Sequence, residues 1–195
     1  MNKQIIALVI IAASLFRPGA PAWAAAPRGK HFDRAIFVLF ENTNYAKAAS
    51  QPFFRELGAK GAMFAGFEAQ THPSQPNYIA LTAGALHGVK TNGNVNLDVE
   101  HVADLLEEKG LTWKVYAEDY PGKCFRGGSS KNYARKHNPF VSYLNVQRSP
   151  ERCAKIVPAE EFDFDRRAGK LPNNVFYIPN GKNDGHDTGV GFADK

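Results

Sequence analysis

Two clusters of polar residues in this chain have the types and spacing for chemistry on an anion. The first is Glu41-Asn42, which follows an apolar run at once and sets a carboxylate beside an amide oxygen. Oxygen donors of that kind suit a hard or borderline divalent cation. The same pair also suits a helix-capping loop in which Glu41 is solvated. The second cluster is Thr71-His72-Pro73-Ser74-Gln75-Pro76-Asn77-Tyr78. Ser74 stands at the entry to a predicted helix, where free N–H groups and the helix dipole favour an anion such as phosphate. A hydroxyl there, next to a metal ion, becomes an alkoxide-like nucleophile; otherwise it is an N-cap. His137 could donate a hydrogen bond to phosphate or a proton to a leaving oxygen, or could fix its loop. Asp184, His186 and Asp187 set carboxylates and an imidazole close enough to share a metal or hold a phosphate, and also fit a solvated polar loop. His72 and His87 read as braces of neighbouring turns, and His31 and His101 as surface residues.

Strand ends have to position these groups. Residues 35–40 run apolar without alternation, which predicts a strand buried on both faces and ending at Glu41. Thr43 or Asn44 caps a predicted helix that carries Phe53, Phe54 and Leu57 inward and stops at Gly58 or Gly61. A second strand is expected over 63–69, a helix over 77–83 with proline near its first turn, and a helix over 99–109 closed by Gly110. Residues 113–117 and 174–178 read as strands. The polar, proline-punctuated stretch 118–167 reads as a loop-rich insertion with short helices. This alternation predicts an α/β fold with a doubly wound, mostly parallel sheet. In such sheets the site gathers beyond the carboxyl ends of the strands.

The N-terminus bears on compartment. Lys3 precedes an apolar run of about 12 residues and then Ala22-Trp23-Ala24, the pattern of a cleaved signal peptide over 1–24. A membrane span needs roughly 20 residues, so an exported protein, periplasmic or secreted, without a stable membrane anchor after cleavage is expected. Residues 25–195 then form one domain. The formal charge of +5 falls to about +3 without Lys3 and Arg17. No basic run is present, so nucleic acid is not an implied partner, while an anionic substrate is compatible. The two cysteines, Cys124 and Cys153, read as one disulfide in an oxidising compartment. Metal thiolates would need further Cys or His at ligand spacing.

Taken together, Glu41-Asn42-Thr43-Asn44-Tyr45 after a strand and Pro73-Ser74-Gln75-Pro76-Asn77-Tyr78 resemble the phosphoesterase family of bacterial acid phosphatases and phospholipases C, within the alkaline-phosphatase-like superfamily. The resemblance continues through Trp113-Lys114-Val115-Tyr116-Ala117-Glu118-Asp119, Lys136-His137-Asn138-Pro139-Phe140, Leu171-Pro172-Asn173 with residues 175–180, and Asn183-Asp184-Gly185-His186-Asp187. It implies a divalent metal held by Glu41, Asn42 and Ser74, with Ser74 also the nucleophile that forms a phospho-serine intermediate. Asn92 matches a phosphate-holding asparagine, although Asn92-Gly93 also suits a turn. His137 and His186 would act on phosphate or leaving group, and Asp184 and Asp187 would add to the metal site. The implied substrate is a small-molecule or lipid phosphate ester.

The resemblance also implies a further strand ending in an acidic pair that completes the metal site. Only Asp194 follows Asp187 among the acids here, so the chain is expected to be an N-terminal portion with weakened metal affinity and an unpaired sheet edge. A binding or scaffold protein without catalysis is the second expectation. A metal-free serine esterase is the third, weakened by the lack of a Gly-x-Ser-x-Gly elbow.

Overall fold

The computed structural model describes residues 31–195; the expected signal peptide lies outside the described residues. Its strands are β1 (Ala35–Val38), β2 (Trp113–Ala117), β3 (Ser129–Ser130), β4 (Tyr133–Ala134), β5 (Ile156–Pro158) and β6 (Asn174–Ile178). Its helices are α1 (Tyr45–Ser50), α2 (Pro52–Lys60), α3 (Ser74–Ala83), α4 (Val102–Glu108), α5 (Leu144–Gln147), α6 (Pro150–Cys153), α7 (Glu160–Arg167) and α8 (Val190–Ala193). Four strands form a parallel sheet in the order β1-β6-β2-β5, and β3 and β4 form a small antiparallel hairpin. β5 falls inside the stretch 118–167, so that stretch returns once to the sheet.

Period-two alternation assigns the sheet its two covered faces. Val115, Ala117, Phe176 and Ile178 pack with Ile79 of α3 and with Phe140, Tyr143 and Val146. Tyr116, Val157 and Val175 point to the other face, against Phe162 of α7 and Leu171. Helices on both faces of a parallel sheet are the doubly wound arrangement that the sequence predicts.

Four expectations are corrected. β1 is not buried on both faces: among the described residues it pairs with β6 alone, and Ile36, Phe37 and Val38 are exposed because an edge strand lacks one lateral neighbour. Residues 63–69 form no strand. Phe67 N donates to Phe64 O in a turn, and Phe64 and Phe67 are 76% and 82% exposed, since no strand lies alongside to pair with them. The predicted helix after Asn44 is broken in two at Gln51, where Pro52 brings no N–H and starts a new first turn. Asn44 Oδ1 does cap α1 by accepting from Lys47 N at 3.0 Å, and Gly61 follows α2. Of the three side chains expected inward, Phe53 and Leu57 are exposed, while Phe54 packs edge-on to Phe40.

His101 is the fourth correction. It is 1% exposed, not a surface residue. Its Nδ1 accepts from Ala103 N, Asp104 Oδ2 accepts from His101 N, and its ring stacks on Tyr143 with centroids 4.0 Å apart. This capping box starts α4 at Val102, three residues later than predicted. Burial lowers the His101 pKa.

The charged face of α4 ties the helix to α6 and β2. Glu107 accepts from Trp113 Nε1 at 2.8 Å, Lys155 Nζ at 2.6 Å and Arg152 Nε at 3.0 Å. Burial pushes the Glu107 carboxyl up, but hydrogen bonds from Lys155, Trp113 and Arg152 and the Lys155 charge outweigh it and hold the pKa at about 2, against an ordinary 4.5. The folded value lies below the unfolded one. The stability it contributes is therefore complete above pH about 4.5 and is lost as pH falls toward 2. Glu107→Ala is expected to cost about 2 kcal/mol at pH 7, after allowance for solvent screening of this partly exposed network. Urea unfolding at pH 7 and pH 3 checks this: the gap between wild type and variant should shrink at the lower pH, and an unchanged gap would count against it.

Cys124 and Cys153 are joined, with Cα atoms 5.3 Å apart across 29 positions. A loop of that length stabilises by roughly 3 to 4 kcal/mol in the chain-entropy picture.

Candidate active site

Three strand ends and one helix start meet at one rim of the sheet. β1 delivers Glu41, β6 delivers the loop 179–187, β2 delivers Glu118 and Asp119, and α3 begins at Ser74. Backbone fastens the first two: Glu41 N donates to Asp184 O at 2.7 Å. The β2 acids moor the 180s loop. Glu118 accepts from Asn180 N at 3.0 Å and Asn183 Nδ2 at 2.7 Å, and Asp119 accepts from Asn180 Nδ2 at 2.9 Å. At the helix start, Asn77 Nδ2 donates to Thr71 O and Pro73 O, and Thr71 N donates back to Asn77 Oδ1, which fixes the turn carrying Ser74.

Within this frame Ser74 Oγ donates to Glu41 Oε2 at 3.1 Å across 33 sequence positions. Glu41 Oε1 lies 3.4 Å from His137 Nε2, and Asp184 Oδ2 lies 3.0 Å from His137 Nδ1. The imidazole is thus set between two carboxylates, with His137 2% and Asp184 1% exposed. Tyr78, one helical turn after Ser74 and so on the same face of α3, stacks on His137 with centroids 5.2 Å apart. Burial, then the Glu41 charge and hydrogen bond, then Asp184 push the Tyr78 hydroxyl well above its ordinary pKa, so it stays a neutral donor to Glu41.

Of the residues singled out by sequence, Glu41, Ser74, His137 and Asp184 come together. Asn92 is next to them: its Oδ1 accepts from Gln75 N at 3.0 Å, in the first turn of α3. Asn42 adjoins Glu41 in a left-handed conformation, φ 62°, and is exposed. His186 and Asp187 form an outer layer. His186 Nδ1 and Asp187 Oδ1 are 2.7 Å apart, and the hydrogen bond with His186 lowers the Asp187 pKa. Thr71–His72 and His87 keep to turns, with His87 Nε2 3.2 Å from Ala83 O. Sequence reasoning gave no role to Tyr78, Lys136, Glu118 or Asp119, although each lies inside a quoted motif. The i, i+4 spacing of Ser74 and Tyr78 was the one signal available for the first.

The donor set fits one side of a shell for an oxygen-bound cation. Glu41 Oε2 and Ser74 Oγ point together, and Asn42 is at hand. His137 Nδ1 and Nε2 and Asp184 Oδ2 are buried and, despite these close approaches, make no hydrogen bond, which in a native site calls for an added partner. Among the described residues, however, no three His, Cys, Asp or Glu side chains are grouped as a metal site. The fit is partial: the residues present suit a hard cation but do not enclose one.

The model of the Phosphoesterase family matches residues 24–195 of the chain. A protein of Kluyveromyces lactis described as a probable acid phosphatase is 36% identical over 176 residues, covering 86% of this chain and 42% of its own length. An acid phosphatase of Aspergillus fumigatus is 36% identical over 194 residues, covering 94% of this chain and 43% of its own. A phosphatidylinositol-3-phosphatase of Mycobacterium tuberculosis is 35% identical over 171 residues, covering 84% and 54%. The chain therefore spans about half or less of the curated relatives it matches.

Proposed function

The chain belongs to the Phosphoesterase family, and from that premise we propose that it is an exported hydrolase of phosphate esters with Ser74 as nucleophile. The observation that carries the reading is the Ser74–Glu41 hydrogen bond, 3.1 Å between segments far apart in sequence. A hydroxyl aimed at a carboxylate at the mouth of a helix N-terminus is the arrangement that attack on a phosphoryl group needs. As Ser74 Oγ bonds to phosphorus, its proton passes to Glu41 and the ester oxygen departs with its electron pair. Water then cleaves the phospho-serine, releasing phosphate and restoring the hydroxyl. Asn92, bound to the first turn of α3, would hold a phosphoryl oxygen nearby, and His186, expected to hold the same group, would stand behind it, since both its ring nitrogens are engaged.

A divalent cation held by Glu41 and Ser74, with Asn42 at the rim, would lower the hydroxyl pKa and offset charge on the phosphoryl oxygens. Asp184 and Asp187 were expected beside it, and their contacts with His137 and His186 support a role in orienting those rings. His137 sits between two carboxylates, which favours bracing over proton donation. Export is supported by the pattern of residues 1–24 and by the disulfide. Among the described residues no helix is long and apolar enough to cross a membrane.

The relatives' descriptions, acid phosphatase and phosphatidylinositol-3-phosphatase, keep small-molecule and lipid phosphate esters both in the substrate class. A binding protein of the same fold is the second reading, favoured by the incomplete grouping of ligands among the described residues. Assay of p-nitrophenyl phosphate beside p-nitrophenyl acetate separates the readings. The expected result is turnover of the phosphate ester. Acetate turnover instead would point to a serine esterase, and turnover of neither by folded protein to the binding protein.

A further inference from the structure

Outside the Ser74–Glu41 pair, the rim carries a three-residue chain whose proton directions are fixed by chemistry. Lys136 Nζ lies 3.1 Å from His186 Nε2, and His186 Nδ1 lies 2.7 Å from Asp187 Oδ1. An ammonium only donates, so Nε2 is the acceptor and the ring proton resides on Nδ1, where Asp187 accepts it. Both nitrogens of His186 are then engaged. Two of the three N–H groups of Lys136 remain for another acceptor.

The loop is built to hold this chain. Gly181 N donates to Asn132 O, Asp187 N donates to Gly181 O, and His186 N donates to Asp184 Oδ1 at 2.7 Å. A β-carbon at Gly181 would come within 2.7 Å of Asp187 Oδ2. Lys136 directly precedes His137, its Nζ reaches His186 Nε2, and the His186 ring is 5.7 Å from the His137 ring, so the ammonium stands at the edge of the Ser74 site. Glu41 and Asp184 make that site anionic, and an anionic ester needs opposing charge to enter it.

We propose that Lys136 is a specificity-determining residue that reads the charge of the ester, favouring dianionic phosphate monoesters over monoanionic diesters. His186 and Asp187 hold it in place. The proposal rests on the phosphate-ester reading of the site. One unit of ligand charge at about 10 Å, with an effective dielectric constant of about 20, changes affinity by about ten-fold.

The test compares wild type, Lys136→Met and Lys136→Arg on p-nitrophenyl phosphate and bis(p-nitrophenyl) phosphate, with calorimetric titration of inorganic phosphate alongside. The methionine variant should lose about ten-fold more in kcat/KM on the monoester, which carries one further unit of charge, than on the diester, with the arginine variant close to wild type. Equal losses on both esters, or no loss, would overturn the proposal. The phosphate titration keeps the two ideas apart. If wild type turns over neither ester, the hydrolase reading fails, while weaker phosphate binding by Lys136→Met still supports a charge-reading lysine. Unchanged phosphate binding in that case overturns it.

Discussion

Alanine at position 74 is expected to lower kcat toward p-nitrophenyl phosphate by about 10⁴-fold or more while the protein stays folded. The size follows from the role: a nucleophile lost outright cannot be replaced by its neighbours, and what survives is binding and electrostatics. The mildness of the structural effect follows from the site. Ser74 is half-buried, and its hydroxyl makes one hydrogen bond, to Glu41. Losing that bond is worth about 1 kcal/mol, a shift in Tm of a few degrees at most. Steady-state kinetics with a thermal melt of the same samples reads both. A variant that keeps a tenth of wild-type kcat would remove Ser74 from the chemistry.

Dialysis against EDTA is expected to reduce turnover by about 10³-fold, with recovery on adding a divalent cation, and Glu41→Ala to reduce it as far without recovery. A cation that neutralises charge on phosphoryl oxygens contributes several kcal/mol to the barrier, and each 1.36 kcal/mol is a factor of ten. Glu41 is expected to carry the larger burden because its carboxylate meets the Ser74 hydroxyl directly, whereas Asp184 and Asp187 face His137 and His186. Activity that persists in EDTA but falls in Glu41→Ala would leave the carboxylate as a metal-free base for Ser74.

Much of the site was legible because its parts lie at element boundaries, where chemistry and chain direction both leave marks. The apolar run that halts at Glu41 and the proline-flanked Ser74 each announce a rim position, and both segments do meet. Asn44 as a cap and Gly61 after α2 were readable for the same local reason. The misreadings concern neighbours that a sequence does not name. Residues 35–40 are apolar enough for an interior strand, but which strands flank β1 is a matter of topology. Residues 63–69 have strand composition without a strand to join. His101 was taken for surface because its partners, Asn145 and Tyr143, lie more than 40 positions away. Lys136 was hidden similarly, since its contact with His186 spans 50 positions.

The placement of Glu41 on β1 has a dynamic corollary. Among the described residues the strand neighbour of β1 is β6, with Ala35 N tied to Asn173 O at one end and Glu41 N to Asp184 O beyond the other, whereas β6 is flanked by strands on both sides. Strands with one neighbour open at lower free energy than those at the centre of a sheet. Glu41 therefore rides on an edge of the sheet, while Asp184 extends from a strand at its centre. A ligand that grips both Ser74 and Glu41 would act as a clasp on that edge, coupling occupancy of the site to the lifetime of the strand.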